Sequence, residues 1–126
     1  MPSTFNARDA ASYERVMGRW SRRLAVPFLD FAGVTMGEVL DVGCGTGSLA
    51  FLLAGRAAGV TGITALDIAP SYIEYARAHN SDPRIRFECA DAGHLPLADD
   101  SVDHSLSLLA LHLMSDPTRA AKEMVR

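Results

Sequence analysis

The sequence has no long apolar run, very few cysteines and no broad basic surface signature. No apolar stretch approaches the ~18 residues of a membrane-spanning helix, and residues 1–10 lack the apolar core of a signal peptide. Two cysteines, Cys44 and Cys89, are too few to form a metal site alone or a disulfide framework. We therefore expect a cytoplasmic protein with reduced thiols, no membrane span and no bound metal.

The charge balance also excludes a class of function. The net charge is -3, which argues against general nucleic-acid binding because that function needs a basic stripe. One basic cluster, at Arg15, Arg19, Arg22 and Arg23, is typical of the solvated face of a helix. With 48% apolar and 21% charged residues, the 126-residue chain fits one globular domain with a substantial core.

Strand and helix patterns alternate along most of the chain. Residues 9–31 read as helical, with Pro27 expected to bend or split the segment. Repeated strand–helix units with short loops predict an α/β fold with a parallel sheet and helices on both faces. We expect a helical cap at residues 1–36 and a Rossmann-like core at 37–126, together one structural domain. The predicted strands cover 38–42, 62–68, 84–90 and part of 101–114, and the helices after 31 cover 48–58, 70–80 and 117 onwards.

The segment VLDVGCGTGSLA, residues 39–50, places three glycines directly after the first strand. Gly43, Gly45 and Gly47 allow positive φ angles and let a ligand approach the backbone without a Cβ between them. In a parallel α/β sheet such a loop lies at the carboxyl edge, where ligands bind, and the next helix offers free N–H groups. The loop therefore predicts a nucleotide-like ligand.

Two neighbouring residues separate the candidate ligands. The dinucleotide pattern G-x-G-x-x-G would place its third glycine at position 48, where this chain has Ser48. Asp41, just before the loop, would repel a pyrophosphate in a partly desolvated pocket. The same carboxylate would attract the sulfonium and ammonium groups of S-adenosylmethionine, which makes a nicotinamide-dependent oxidoreductase the weaker alternative.

Two further carboxylates follow the next two strands. Asp67 comes 24 residues after Gly43, near the ~20 expected for an acid that binds a ribose diol, although a capping or turn aspartate would give the same pattern. Ile68 follows it and could contact an adenine ring. Asp91 ends the third strand, so an aspartate lies at or near the end of each of three successive strands.

At this point the chain resembles class I S-adenosylmethionine-dependent methyltransferases, and among them the small-molecule group of ubiquinone and menaquinone biosynthesis enzymes. The resemblance rests on the motifs in order and covers the chain from about residue 13. These motifs are VLDVGCGTGSLA, TALDIAPSYIEYAR, FECADAGHLPLADDSVD and LALHLMSDPTRAAKEM.

The resemblance implies S-adenosylmethionine as cofactor, S-adenosylhomocysteine as product, a small-molecule methyl acceptor and a role for each matching residue. Asp41 and the loop would hold the methionine end, Asp67 the ribose hydroxyls, and Ile68 the adenine face. Asp91 and the Ala92 backbone N–H would bind the adenine edge, and Ser107 to Leu109 would lie near the methyl group. The implied cofactor-binding residues are Asp41, Gly43, Cys44, Gly45, Gly47, Asp67, Ile68, Asp91, Ala92 and Leu108, with Tyr13 and Arg19 from an N-terminal covering helix.

The chain departs from the family pattern at two places. Asp103 is followed by His104 and Ser105, where the family usually has β-branched apolar residues. The family sheet has seven strands in the order 3-2-1-4-5-7-6, and this sequence supplies strands 1–4, in the expected order 3-2-1-4. An uncovered fourth strand in the apolar run LSLLALHLM would form a sheet edge, so we expect a fragment or a homodimer through that edge.

Methyl transfer from a sulfonium needs mainly orientation and exclusion of water, and a base only if the acceptor must lose a proton. His112, just beyond the fourth strand, is the candidate base, although a packed or capping histidine would explain it equally. Cys44 is better explained as a packing residue than as a nucleophile. By position alone, Glu14 and Arg19 are candidates for acceptor recognition. A binding module that holds the cofactor or a partner chain without turnover remains the main alternative.

Overall fold

The computed structural model describes residues 9–126 and begins with a helical segment in three parts. Helix α1 (Ala10–Tyr13) leads through a π-helical turn (Glu14–Gly18) into α2 (Arg19–Ala32). Helix α2 continues through Pro27 without a split, and the irregular turn lies at Glu14–Gly18 instead. Pro27 has no N–H to donate to the carbonyl of Arg23, four residues earlier. This is tolerated because Arg23 is exposed and water can bond that carbonyl.

The rest of the described chain forms one four-stranded parallel sheet with helices between its strands. The sheet order is β3-β2-β1-β4, which confirms the order expected from the sequence. The strands are β1 (Met36–Val42), β2 (Gly59–Asp67), β3 (Ile85–Cys89) and β4 (His104–Leu106), and the later helices are α3 (Ser48–Arg56), α4 (Pro70–His79) and α5 (Pro117–Met124), with a 3₁₀ turn at Leu111–Leu113.

Alternate residues of the central strands enter two separate apolar layers. Val39 and Ile63 belong to the larger layer, which α2, α3 and α4 cover. Leu40 directly follows Val39 in β1, and Leu66 comes three residues after Ile63 in β2. Both belong to a smaller layer that Met124 of α5 helps to cover. Helices therefore cover both faces of the sheet, as the sequence predicts for a doubly wound fold.

The strand register brings the acidic residues to one edge of the sheet. Asp41 of β1 is aligned with Ala65 of β2 and Leu106 of β4. Asp67 is aligned with Cys89, at the end of β3. Because all strands are parallel, the loops that follow them meet at this carboxyl edge, where the candidate site lies.

Within residues 9–126, no helix is both long enough and apolar enough to cross a membrane.

Candidate functional site

The glycine loop between β1 and α3 is held against the end of β2. The backbone N–H groups of Gly43 and Cys44 both donate to the carbonyl of Leu66, at 2.8 and 2.9 Å. The φ angles of Gly43, Gly45 and Gly47 are +73°, +58° and +99°. Because these values lie in the left-handed region, where other residues are strained, the turn requires glycines.

All three glycines also have little space for a side chain, and a Cβ on Gly47 would lie 2.7 Å from a ring carbon of Phe51. A Cβ on Gly43 would lie 2.4 Å from the Cβ of Ala110, and a Cβ on Gly45 would lie 3.2 Å from the hydroxyl of Tyr13. The chain after β4 thus contacts one end of the loop, and the N-terminal helical segment contacts its tip.

Asp67, at the end of β2, is bonded to the same loop. One of its carboxylate oxygens accepts from the N–H of Gly45 at 2.9 Å, and the other accepts from the N–H of Ala69 at 2.9 Å. Burial raises the pKa of Asp67, and the backbone N–H groups oppose part of that shift. Since a carboxylate has about four acceptor positions, Asp67 retains capacity to accept from a ligand hydroxyl.

Asp41 is the most unusual polar residue of the site. Its side chain is 2% exposed, and its Oδ2 atom has no hydrogen-bond partner among the described residues. Burial, with a smaller contribution from the charge of Asp67, raises the pKa of Asp41 to about 7. A buried carboxylate without a donor is unfavourable unless a cation or a proton compensates its charge.

A cleft of about 400 Å³ opens beside the loop at the carboxyl edge of the sheet. Gly43, Asp67, Ile68, Asp91 and Ala92 line it, so the structure brings together five of the residues that the sequence named. The volume lies in the range of small-molecule and cofactor sites. Ile68 is 70% exposed, which leaves an apolar surface free at the cleft.

The other residues named from the sequence lie outside the lining of this cleft: Tyr13, Arg19, Asp41, Cys44, Gly45, Gly47, Leu108 and His112. Leu108 packs against the larger apolar layer, and His112 is exposed. Arg19 is also exposed and stacks over the ring of Trp20, with its guanidinium carbon 5.1 Å from the ring centroid. Cys44 is buried, and burial raises the pKa of its thiol, which makes it a poor nucleophile.

The N-terminal helical segment contacts the loop through two adjacent side chains. The ring of Tyr13 lies 4.7 Å from that of Tyr72 of α4, and its hydroxyl faces Gly45. Glu14 accepts a hydrogen bond from the hydroxyl of Thr46, in the middle of the loop. Sequence reasoning named Tyr13 for the cofactor but gave Glu14 a different role.

The sequence reasoning did not name two polar residues that line the cleft, Asp116 and Arg119. Arg119 of α5 donates from Nε to the carbonyl of Gly93 at 2.7 Å, and its Nη2 lies 3.0 Å from Nδ1 of His94. Asp116 caps α5 and also lines the cleft. The signal for them was the Asp-Pro helix start at residues 116–117, which follows β4 and so must begin near the carboxyl edge.

Comparison with known proteins agrees with this geometry. A family sequence profile described as a methyltransferase domain matches residues 40–126. The malonyl-[acyl-carrier protein] O-methyltransferase of Acetivibrio thermocellus is 40% identical over 86 residues, which cover 68% of this chain and 30% of that protein. The ubiquinone/menaquinone biosynthesis C-methyltransferase UbiE of Geotalea daltonii is 31% identical over 109 residues, covering 83% and 46%.

A solved structure shows the same fold at greater coverage. It is a chain from a Haloferax volcanii complex of the Trm112 methyltransferase activator with a methyltransferase. The TM-score is 0.84 at 29% sequence identity, and the match covers 100% of this chain and 56% of that one. The present chain thus spans less than half the length of the two curated relatives and about half of the solved chain.

The chain belongs to the S-adenosylmethionine-dependent methyltransferase family, as its motifs predict. The cofactor that this family implies is S-adenosylmethionine. The site fits that cofactor, because Gly43 and Asp67 line one cleft and Oδ2 of the buried Asp41 has no hydrogen-bond partner among the described residues.

Proposed function

We propose that this chain binds S-adenosylmethionine at the carboxyl edge of the sheet and serves methyl transfer to a small-molecule acceptor. The observation that carries the proposal is the convergence of Gly43, Asp67 and Asp91 on one cleft. Asp41 comes two residues before Gly43, and its buried Oδ2 has no partner among the described residues. A pyrophosphate would face that carboxylate unfavourably, whereas a cationic ligand would compensate its charge.

Each residue named for cofactor binding then has a proposed task. Asp67 accepts from the ribose hydroxyls, and Ile68 contacts the adenine face. Asp91 accepts from the adenine amino group, and the Ala92 N–H donates to the ring. The methionine end is assigned to Asp41 with Gly43, Cys44, Gly45 and Gly47, with Tyr13 and Arg19 from the N-terminal helical segment and Leu108 near the methyl group.

Methyl transfer from a sulfonium needs little from the protein beyond the positioning of the cofactor and the acceptor. When bound, the cofactor supplies an activated methyl group on a sulfonium. The residues of the chain orient it and exclude water, which favours in-line displacement. His112 stays our candidate base for an acceptor that must lose a proton. Since it does not line the cleft, the acceptor would have to reach it outside.

The acceptor class is supported by the relatives, one named a malonyl-[acyl-carrier protein] O-methyltransferase and one a ubiquinone/menaquinone biosynthesis C-methyltransferase. A cytoplasmic location and the absence of nucleic-acid binding remain our expectations from the sequence. The outer edge of β4 pairs with no strand of the described chain, which supports a homodimer through that edge. Light scattering at high concentration tests this, and a uniform monomer would contradict it.

Calorimetry with S-adenosylmethionine, S-adenosylhomocysteine and NAD tests the cofactor assignment. We expect binding of the first two ligands and none of NAD. Gly45→Val should abolish binding, because a side chain there is strained at φ +58° and meets Tyr13. Gly55→Ala, in α3 with nothing within 4 Å of the added Cβ, is the matched control.

The outcomes separate the alternatives. Binding of NAD in preference to S-adenosylmethionine would favour the oxidoreductase. Normal binding by Gly45→Val would contradict the role of the loop. Affinity for the cofactor without turnover on any acceptor would favour a binding module.

A further inference from the structure

A single carboxylate connects the N-terminal helical segment to the glycine loop. The side chain of Glu14 is 16% exposed and pairs with Arg22 at 2.5 Å. Its other oxygen accepts from the hydroxyl of Thr46, which is 3% exposed. A buried hydroxyl that loses such an acceptor is costly, so this contact fixes Thr46 and the helical segment relative to each other.

The π-helical turn makes room for this carboxylate at Gly18. A Cβ on Gly18 would lie 2.5 Å from one carboxylate oxygen of Glu14 and 2.7 Å from the other. The φ angle of Gly18 is -58°, an ordinary helical value, so the backbone does not require glycine there. Space for the Glu14 carboxylate is therefore what the glycine supplies. Such π-helical turns are frequent at functional sites.

The loop is thereby held from two sides. Glu14 holds Thr46 from the N-terminal side, and the carboxylate of Asp67 holds the N–H of the preceding Gly45 at 2.9 Å from the sheet side. Neither Glu14 nor Thr46 lines the cleft assigned to the adenosine portion. Their influence on a ligand should therefore be confined to the loop, which receives the methionine portion.

We infer that Glu14 is a positioning residue for cofactor binding. With Gly18 and Thr46 it forms a latch, the Glu14 latch, that sets the glycine loop for the amino-acid portion of the ligand. The inference rests on the proposed function and adds to it a residue whose role is to hold the loop and not to touch the adenosine portion.

The latch can be broken without changing Glu14 itself. Gly18→Ala should displace the carboxylate while favouring the helix, because alanine is the better helix former. Thr46→Val removes the hydroxyl at nearly constant volume, and Thr46→Ser keeps it. Gly55→Ala in α3 makes the same change as Gly18→Ala where the added Cβ meets open space.

Calorimetry with two ligands measures how these substitutions change the affinity. S-adenosylhomocysteine carries the amino-acid portion, and 5′-methylthioadenosine lacks it. We expect Gly18→Ala and Thr46→Val to weaken S-adenosylhomocysteine binding about fivefold to tenfold and to leave 5′-methylthioadenosine binding unchanged. Thr46→Ser and Gly55→Ala should bind both ligands like the wild type, and Gly18→Ala should not lower the melting temperature.

Two results would overturn the inference. In one, Gly18→Ala and Thr46→Val bind S-adenosylhomocysteine like the wild type. In the other, they weaken both ligands equally, as a purely structural defect would. A wild-type protein that binds neither ligand would instead contradict the proposed function, so the two failures are distinguishable.

Discussion

The two sides of the central strand β1 differ in how much of the strand pairs with a neighbouring strand. On one side, β1 pairs with β2 along its whole length from Met36 to Val42. On the other side, it pairs with β4 only from Val39 to Asp41. A cavity of about 220 Å³ also lies along β4, between that strand and the end of α5. We call these the β2 side and the β4 side.

The residues that line the candidate cleft on β2 and after β3 lie on the side where β1 is fully paired. Asp67 and the residues after β3 belong to the β2 side, where β2 pairs with β3 along the whole length of β3. The chain after β4, including Ala110, forms only the opposite wall of the cleft. We therefore expect the proposed cofactor contacts to depend more on the β2 side than on the β4 side.

The largest effect should come from the charge of Asp41, which lies on the strand between the two sides. Its pKa is raised from 3.8 to about 7 in the folded protein, so the folded state binds this proton more tightly than the unfolded state. The contribution of Asp41 to stability is therefore complete below about pH 4 and is lost as the pH rises through 7. At pH 8 the loss is on the order of 4 kcal/mol.

Urea unfolding of the wild type and Asp41→Asn at pH 5 and pH 8 measures this effect. The advantage of the asparagine variant should grow with pH, because asparagine carries no charge to bury. The exposed Asp99→Asn should keep the wild-type pH dependence. A constant difference between wild type and Asp41→Asn across this range would show that Asp41 is not the titrating group.

The second effect compares the two sides directly through leucine truncation. Leu53 of α3 is 1% exposed beneath the β2 side, and Leu53→Ala should reduce the free energy of unfolding by about 3 kcal/mol. Leu106 of β4 is 9% exposed at the sheet edge, and Leu106→Ala should cost about 1–2 kcal/mol because the thin edge can relax. Chemical denaturation of both variants gives the values, and equal costs would remove the distinction between the two sides.

The fold was predictable because its signals are local. Two-residue alternation gave β3, and the glycine loop followed by a helix fixed the first strand–helix unit. The extent of β4 was not predictable from the apolar run LSLLALHLM. Only His104–Leu106 pairs with β1, since the chain leaves the sheet at Ser107, whose hydroxyl donates to the Val42 carbonyl at 2.9 Å.

The site was predictable where residues follow strand ends and not where distant segments meet. Asp67 and Asp91 could be assigned to one edge because parallel strands end together. The bond between Glu14 and Thr46 joins residues 32 positions apart, and no periodicity signals such a contact. Arg119 reaches Gly93 in the same way, through the packing of α5 and not through any local pattern.

The third effect concerns ligand affinity on the β2 side. Asp67→Ala removes the acceptor for Gly45 and for the ribose hydroxyls, and we expect S-adenosylhomocysteine binding to weaken by about 1–3 kcal/mol. Calorimetry measures it, with Asp30→Ala as a control, since Asp30 is exposed and pairs with Arg56 outside the cleft. Unchanged affinity in Asp67→Ala would place the ribose elsewhere.

The smallest effect tests whether the β4 side carries local strain. Leu109, which follows β4, has a φ of +55°, in the left-handed region that disfavours leucine, and it is 41% exposed. Leu109→Asn should raise the free energy of unfolding by about 0.5–1 kcal/mol, because asparagine tolerates that backbone with less strain. Val125→Asn is the matched control, since Val125 is 86% exposed with an ordinary φ of -94° and should gain nothing. A gain at Leu109 alone would assign strain to the segment that closes the cleft opposite Asp67, whereas equal changes in both variants would reflect only the loss of exposed apolar surface.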